Sequence, residues 1–518
     1  MLASRLSEIS RFNVLLVEAG SKDTSPAIQI PVGAVTTVPT NYKNWAFQTE
    51  PQPGLDGRRG YQPRGKVLGG SSAINAMVYI RGHQDDYNDW QELGWGWDKV
   101  QPYFVKAENN QRFEGPLHGT QGPLSVSDSR SNHAIADDFI SAGLALGHIH
   151  RQDFNDQEQE GLGRYQLTQR HGLRCSAAKA YLSPVAYRSN LQIETHCQVN
   201  RLLFEGNRCV GVEVLQSGET KRYFANKEVI LSAGAFGSPQ ILLLSGIGSK
   251  TKLLPHGIES VHELPGVGEN LQDHPDYVSP YLSRAHTTFG VSALGICHLA
   301  KQGLKFMTSR RGMMTSNFAE TGGFVKTDPE LTRPDIQFHF VVANVQDHAR
   351  NWRASLSHGY SCHTCVLRPK SVGHVALNGA DPTMPPRIQP NFLAERDDLI
   401  TLRKGVRIAS QILEQDVMQK YKLSAVHNEY RLDDDKLEAL LRQKTDTVYH
   451  PVGTCKMGLS KDPLAVVCPE LKVLGISGLR VVDASVFPNL IGGNTNAPTI
   501  MLGERASDLI KHDWLGPN

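Results

Sequence analysis

The sequence predicts a mixed α/β and α+β protein: a nucleotide-binding domain around buried parallel strands, and a second domain with a mostly antiparallel sheet and helices. Three observations predict it. Short apolar runs near residues 12–17, 227–232 and 479–482 end in an acid or a glycine turn, as buried parallel strands do at a binding edge. A glycine- and serine-rich run at 65–78 leads straight into apolar residues. Residues 335–345, 360–368 and 372–378 alternate or run apolar with β-branched and aromatic side chains, the pattern of antiparallel strands. Because the acid-ended strands are scattered along the chain, the nucleotide-binding domain is expected to be discontinuous, assembled from 1–83, 190–275 and 445–518. Residues 84–189 and 276–444 are then the substrate domain and excursions.

In chain order, residues 12–17 form a strand closed by Glu18-Ala19-Gly20. Residues 60–83 form a loop running into an apolar segment. Residues 84–113, rich in Trp and Asp, are expected to make a helical excursion with turns at Gly94 and Gly96. Trp45, Trp90, Trp95 and Trp97 are read as packing residues. Val199 falls in a strand region before Leu202, Leu203 and Phe204. After the 227–232 strand comes Ala233-Gly234-Ala235, then a helix over 239–244 with Pro239 in its first turn. Leu399, Leu402, Val406, Ala409 and Leu413 recur at helical spacing. A last strand at 479–483 and a final helix over 498–510 complete the chain.

Composition narrows the function. The 518 residues are enough for two domains. A formal net charge of +2 gives no basic excess to neutralise phosphates, so nucleic acid is not expected as a partner. No apolar run approaches the roughly 18–20 residues needed to span a bilayer, which leaves peripheral attachment open. Arg5, Glu8 and Arg11 interrupt residues 1–12, so no secretory leader is expected. The eight cysteines follow no scaffold spacing and read as reduced thiols in the cytoplasm. Cys362-His363-Thr364-Cys365 has the gap of a metal or redox motif but no second ligand pair nearby, and is read as strand; no metal is expected.

Glu18 stands where a dinucleotide fold places the acid that bonds a ribose. The Gly-x-Gly-x-x-Gly expected about 20 residues upstream is not in the chain, and no glycine precedes Gly20. The 65–78 run is the stronger signal. Gly69 and Gly70 let backbone approach a ligand closely, and successive N–H groups with the hydroxyls of Ser71 and Ser72 suit a diphosphate or a ring edge. Near the chain's end, residues 450–458 (His-Pro-Val-Gly-Thr-Cys-Lys-Met-Gly) and 492–499 (Gly-Gly-Asn-Thr-Asn-Ala-Pro-Thr) supply a proton acceptor and an amide partner. His339, His348, His358 and His363 are read as structural or exposed.

With these motifs in view, the chain resembles the glucose–methanol–choline (GMC) oxidoreductases over nearly its whole length. Residues 65–78 and 234–248 are similar to that family's two signatures, and 450–458 and 483–499 to its C-terminal active-site blocks. The wording is nearest to choline-dehydrogenase-like and aliphatic alcohol dehydrogenases, as in Asn44-Trp45 and Tyr79-Ile80-Arg81-Gly82. The resemblance implies a Rossmann-like domain holding FAD. Glu18 would bind the adenosine ribose, Ser71, Asn75, Ala76, Met77 and Val78 the flavin and diphosphate, and the Val199 backbone the adenine. Asp483 and Ala484 would meet diphosphate and ribitol, and Asn496, Ala497 and Thr499 the flavin's pyrimidine end. His450 would be the catalytic histidine and Asn496 the second catalytic residue.

Family members open with a strand and Gly-x-Gly-x-x-Gly, whereas residues 1–8 resemble the helix after that loop. The chain as written is therefore expected to lack its first strand and diphosphate loop, through a start-site artefact, and to bind FAD less tightly. The implied reaction is oxidation of a primary alcohol, choline or aliphatic, to the aldehyde by hydride transfer to flavin N5. Electrons would pass to a quinone-type acceptor, and the enzyme would be cytoplasmic or peripheral to the inner membrane. The alternatives are an O₂-reducing oxidase, a flavin-dependent lyase and an inactive truncated relative.

Overall fold

The computed structural model describes residues 1–516. The acid-ended apolar runs form two parallel pairs: Val14–Val17 beside Leu191–Glu194, and Val229–Leu231 beside Leu479–Val481. No strand joins the pairs among the described residues. Val14–Val17, Val229 and Ile230 are only half-buried, and strands of both pairs line one cavity. The segment after Leu191–Glu194 is a three-stranded antiparallel meander, Cys197–Glu205, Arg208–Gln216 and Glu219–Phe224, which carries Val199.

The second part is a seven-stranded sheet in which every pairing is antiparallel. Its central strands run Pro275–Ser283, Gly359–Val366, Ile336–Val341, Thr321–Val325. Alternation along Ile336–Val341 divides its side chains between two faces. Phe338 and Phe340 join Leu399, Leu402, Val406, Ala409 and Leu413 of the Arg396–Leu413 helix in one core, all fully buried. His339 and Val341, of the opposite parity, line the cavity. The 372–378 run is not part of this sheet: His374–Ala376 pairs with Arg387–Gln389 in a separate hairpin.

Several local expectations change. Residues 84–113 hold two helices, Gln84–Asn88 and Trp97–Ala107, followed by the strand Glu108–Asn110. Trp90 and Trp95 are buried core residues, as expected. The helix expected at 239 begins at Gly234, so Pro239 lies inside it. A proline has no N–H for the carbonyl four residues back. That carbonyl, of Ala235, instead accepts the Thr454 hydroxyl at 2.6 Å. The final helix also starts earlier and runs longer, Asn496–Leu515. Cys362 and Cys365 lie buried in one strand three residues apart, so their side chains point to opposite faces and cannot share an ion. No helix among the described residues is long and apolar enough to cross a membrane.

Candidate active site

A cavity of about 1660 Å³ runs between the parallel pairs and the antiparallel sheet, well beyond the roughly 300–1,000 Å³ of a small-molecule site. Of the residues expected from sequence to bind cofactor or act in catalysis, all line it except Ala497, which is buried in the core.

At the dinucleotide end, the Glu18 carboxylate accepts one hydrogen bond, from the Gly20 N–H at 2.7 Å. Burial raises it to about 7, against the pull of that N–H and of Lys66. It keeps acceptor capacity for hydroxyl donors, as a ribose would require. Gly69 and Gly70 both have left-handed φ, +91° and +55°, and a Cβ on Gly70 would meet nothing within 4 Å. The turn therefore presents bare backbone to open cavity, which fits the close approach of a diphosphate or ring. Beneath it Arg174, buried without a carboxylate partner, donates to Asn75 Oδ1 at 2.8 Å and to the Ser72 carbonyl at 3.3 Å. Asp483 is already committed: its oxygens accept from the Gly234 N–H, the Ser238 hydroxyl and the Ser485 N–H at 2.6–2.9 Å. Its part is to hold the start of the 234–244 helix. These features fit an extended dinucleotide.

At the other end, Asp273 grips the backbone N–H groups of both His274 and His450 at 2.9 Å. His274 Nε2 lies 3.0 Å from the Leu367 carbonyl and 3.1 Å from that of Ile491. Carbonyls only accept, so Nε2 carries the proton. Burial lowers His274 to about 4, which keeps the ring neutral and leaves Nδ1 a bare acceptor. His450 Nδ1, 3.0 Å away, must then be the donor. Burial, and the rings of His274 and His339, hold His450 well below the usual histidine range. Its Nε2 is therefore an unprotonated acceptor on the cavity side.

The amide that reaches Nε2 is Asn494, with Nδ2 at 3.2 Å. Gln337 donates to Asn494 Oδ1 at 3.1 Å, which fixes the amide with its N–H side toward the histidine. Asn496, the residue expected from sequence, lines the cavity at the first position of the last helix and makes no side-chain bond to His450. His339, His348 and His363, read from sequence as structural or exposed, also line the cavity. His348 Nδ1 is 2.5 Å from the Tyr449 hydroxyl, and His363 Nδ1 is 2.6 Å from Asp276. Sheet parity at 337, 339 and 341 was the one sequence signal that could have placed Gln337 and His339 on this face.

The GMC oxidoreductase family matches the chain at residues 12–276 with its N-terminal part and at 369–503 with its C-terminal part. The chain belongs to the GMC oxidoreductase family. Among curated relatives of this GMC protein, alcohol dehydrogenase [acceptor] of Pseudomonas putida is 44% identical, over 98% of this chain and 93% of the relative. Mitochondrial choline dehydrogenase of Homo sapiens is 42% identical, over 99% and 87%. Of solved structures, pyridoxine 4-oxidase from Mesorbium loti superposes with a TM-score of 0.88 at 30% identity, covering 99% of this chain and 96% of that one. A formate oxidase gives 0.89 at 28%, with the same coverage.

Proposed function

We propose that the chain oxidises a primary alcohol to its aldehyde, with His450 as the base and the Asn494 amide as hydrogen-bond partner of the alkoxide. The chain is an FAD-dependent oxidoreductase acting on CH–OH donors, as its family and relatives support. FAD supplies the hydride acceptor, and Glu18, the 69–78 backbone, Val199, Ala484 and Thr499 would hold it. The single observation that carries the reading is the fixed tautomer chain from the Leu367 and Ile491 carbonyls through His274 to His450 Nε2. A neutral Nε2 takes the hydroxyl proton while the Asn494 N–H steadies the oxygen it leaves negative. The buried lining includes apolar residues, Val341 and Ala343 among them.

The cavity also speaks to substrate. Its acidic lining residues are Glu18, Glu228 and Asp483, all on the parallel-strand elements, so no carboxylate faces a quaternary ammonium beside His450. This favours an uncharged aliphatic alcohol over choline. The acceptor is read as quinone-type; the name of the Pseudomonas putida relative supports an electron acceptor without specifying its class. Oxygen is the competing acceptor, since relatives named oxygen-dependent choline dehydrogenase are 38–39% identical. The division into cofactor domain (1–83, 190–275, 445–518) and substrate domain (84–189, 276–444) belongs to the same reading, supported by the site's position between parallel pairs and antiparallel sheet. Eight unpaired cysteines support a reducing, cytoplasmic compartment.

The test is the visible spectrum of the purified chain under anaerobic conditions. Flavin bands that bleach with a medium-chain primary alcohol and not with choline support the reading. Bleaching by choline alone would overturn the substrate assignment, and aldehyde release without bleaching would replace oxidation with a lyase reaction.

A further inference from the structure

The helix Ala293–Ser309 lies on the surface beside the cavity and buries only Gly295 and Phe306, leaving most of its length in solvent. Ile296, Ala300, Leu304 and Met307 follow one another at intervals of four, four and three residues, so they form one outward stripe. Leu304 is 63% exposed, Met307 78% and Ile296 56%. The neighbouring segment adds Trp352, 62% exposed, joined to the helix start by the Val291 N–H donating to the Leu356 carbonyl and by His358 bonded to the Ser292 hydroxyl. Exposed apolar side chains in such a group mark a binding surface rather than ordinary scatter.

Along the chain, the charge flanking the stripe is of one sign. The sequence has no aspartate or glutamate between Asp276 and Glu320, nor between Asp347 and Asp381. Lys301, Lys305, Arg310, Arg311 and Arg353 fall in these stretches, all exposed and none in an ion pair among the described residues. Asp347, at the margin, is paired with Arg350 at 2.8 Å. An apolar stripe flanked by cations on a helix lying flat is the arrangement that sits in a lipid interface. Val291, Leu299 and Leu356 belong to this surface and also line the cavity, so the cavity opens onto it.

We propose that the 293–309 helix and the 352–356 segment form a docking face for an anionic phospholipid bilayer, placing the cavity mouth against the membrane. The stripe enters the acyl boundary, the five cations meet lipid phosphates, and an apolar molecule passes from bilayer to cavity without crossing bulk water. The proposal does not depend on the chemistry at His450.

The test is flotation of the full chain with vesicles of phosphatidylcholine alone or phosphatidylcholine with phosphatidylglycerol. Binding to the anionic vesicles, weakened by high salt, is expected. Leu304→Glu with Met307→Glu should abolish it, and Lys301→Glu with Lys305→Glu should weaken it by roughly fivefold or more per residue. Thermal melting monitored by circular dichroism confirms that each variant is folded; Trp352→Glu, on a separate segment, takes the place of any that is not. Unchanged flotation in the folded variants would overturn the assignment. So would a parent that stays unbound but runs as a dimer which Leu304→Glu with Met307→Glu converts to monomer, since the stripe would then serve a second copy of this chain.

Discussion

At the scale of single residues, the site turns on which nitrogen of His450 holds a proton. Two carbonyls set the tautomer of His274, and His274 sets that of His450, so the proposed base would be prepared before any substrate arrives. His450→Ala should lower turnover by about 10²–10⁴-fold, the usual scale of general-base catalysis, with flavin absorbance retained; near-normal steady-state turnover would remove His450 from that role. Asn494→Ala should cost more in kcat than Asn496→Ala, because only Asn494 meets His450; the reverse order would return the part to Asn496. The lowered pKa of His450 has a sign that kinetics can read. As the proposed base, His450 would stay unprotonated through pH 6.5, so kcat/KM for the alcohol should be flat there and fall only at more acidic pH. An inflection at or above 6.5 would point to a different base. Sequence nominated His450 from its flanking block but placed the second role on Asn496, whereas the amide that meets His450 is Asn494; the two stand two positions apart where a loop becomes a helix, and nothing local tells them apart.

At the scale of elements, the glycine turn and the 234–244 helix show two kinds of constraint. Gly70 has a left-handed φ and open cavity where a Cβ would go, so Gly70→Val both strains the turn and would fill the space proposed for the cofactor. The purified variant should be colourless, with its ratio of visible to ultraviolet absorbance as the measure; full yellow colour would separate this turn from the cofactor. The proline inside the helix works differently. Thr454 satisfies the carbonyl that Pro239 cannot, so Thr454→Val should leave it buried and unpaired and destabilise the fold by about 1–3 kcal/mol in denaturant titration. The element pattern was largely legible, because strands ending at Glu18 and Asp483 and the 399–413 periodicity are local signals. The helix start at Gly234 was not, since Pro239 reads as a first-turn residue unless a distant hydroxyl is known to replace its missing donor.

At the scale of the whole molecule, burying three neutral histidines makes stability depend on pH. Burial lowers His274 to about 4 and His339 to about 3, and His450 lies well below its ordinary value. The unfolded chain would protonate all three near pH 6.5. Below that value the unfolded state binds more protons than the folded one, so stability is lost as pH falls, by up to about 1.4 kcal/mol per pH unit for each histidine. The melting temperature should drop from pH 7 to pH 5, and replacing His339 by Gln should flatten the slope; a melting temperature that does not change over this range would show that the three rings are not buried neutral. The sequence by itself determined the mixed fold class and the glycine turn, and nominated Glu18 and His450, because strand periodicity, chain-turn chemistry and short motifs are written in neighbouring residues. Only the tertiary structure decided the rest. His274 and His450 are 176 positions apart, and Gln337 and Asn494 157. Proton placement and amide orientation follow from hydrogen-bond geometry, which exists only once the sheet and the two ends of the chain pack around one cavity.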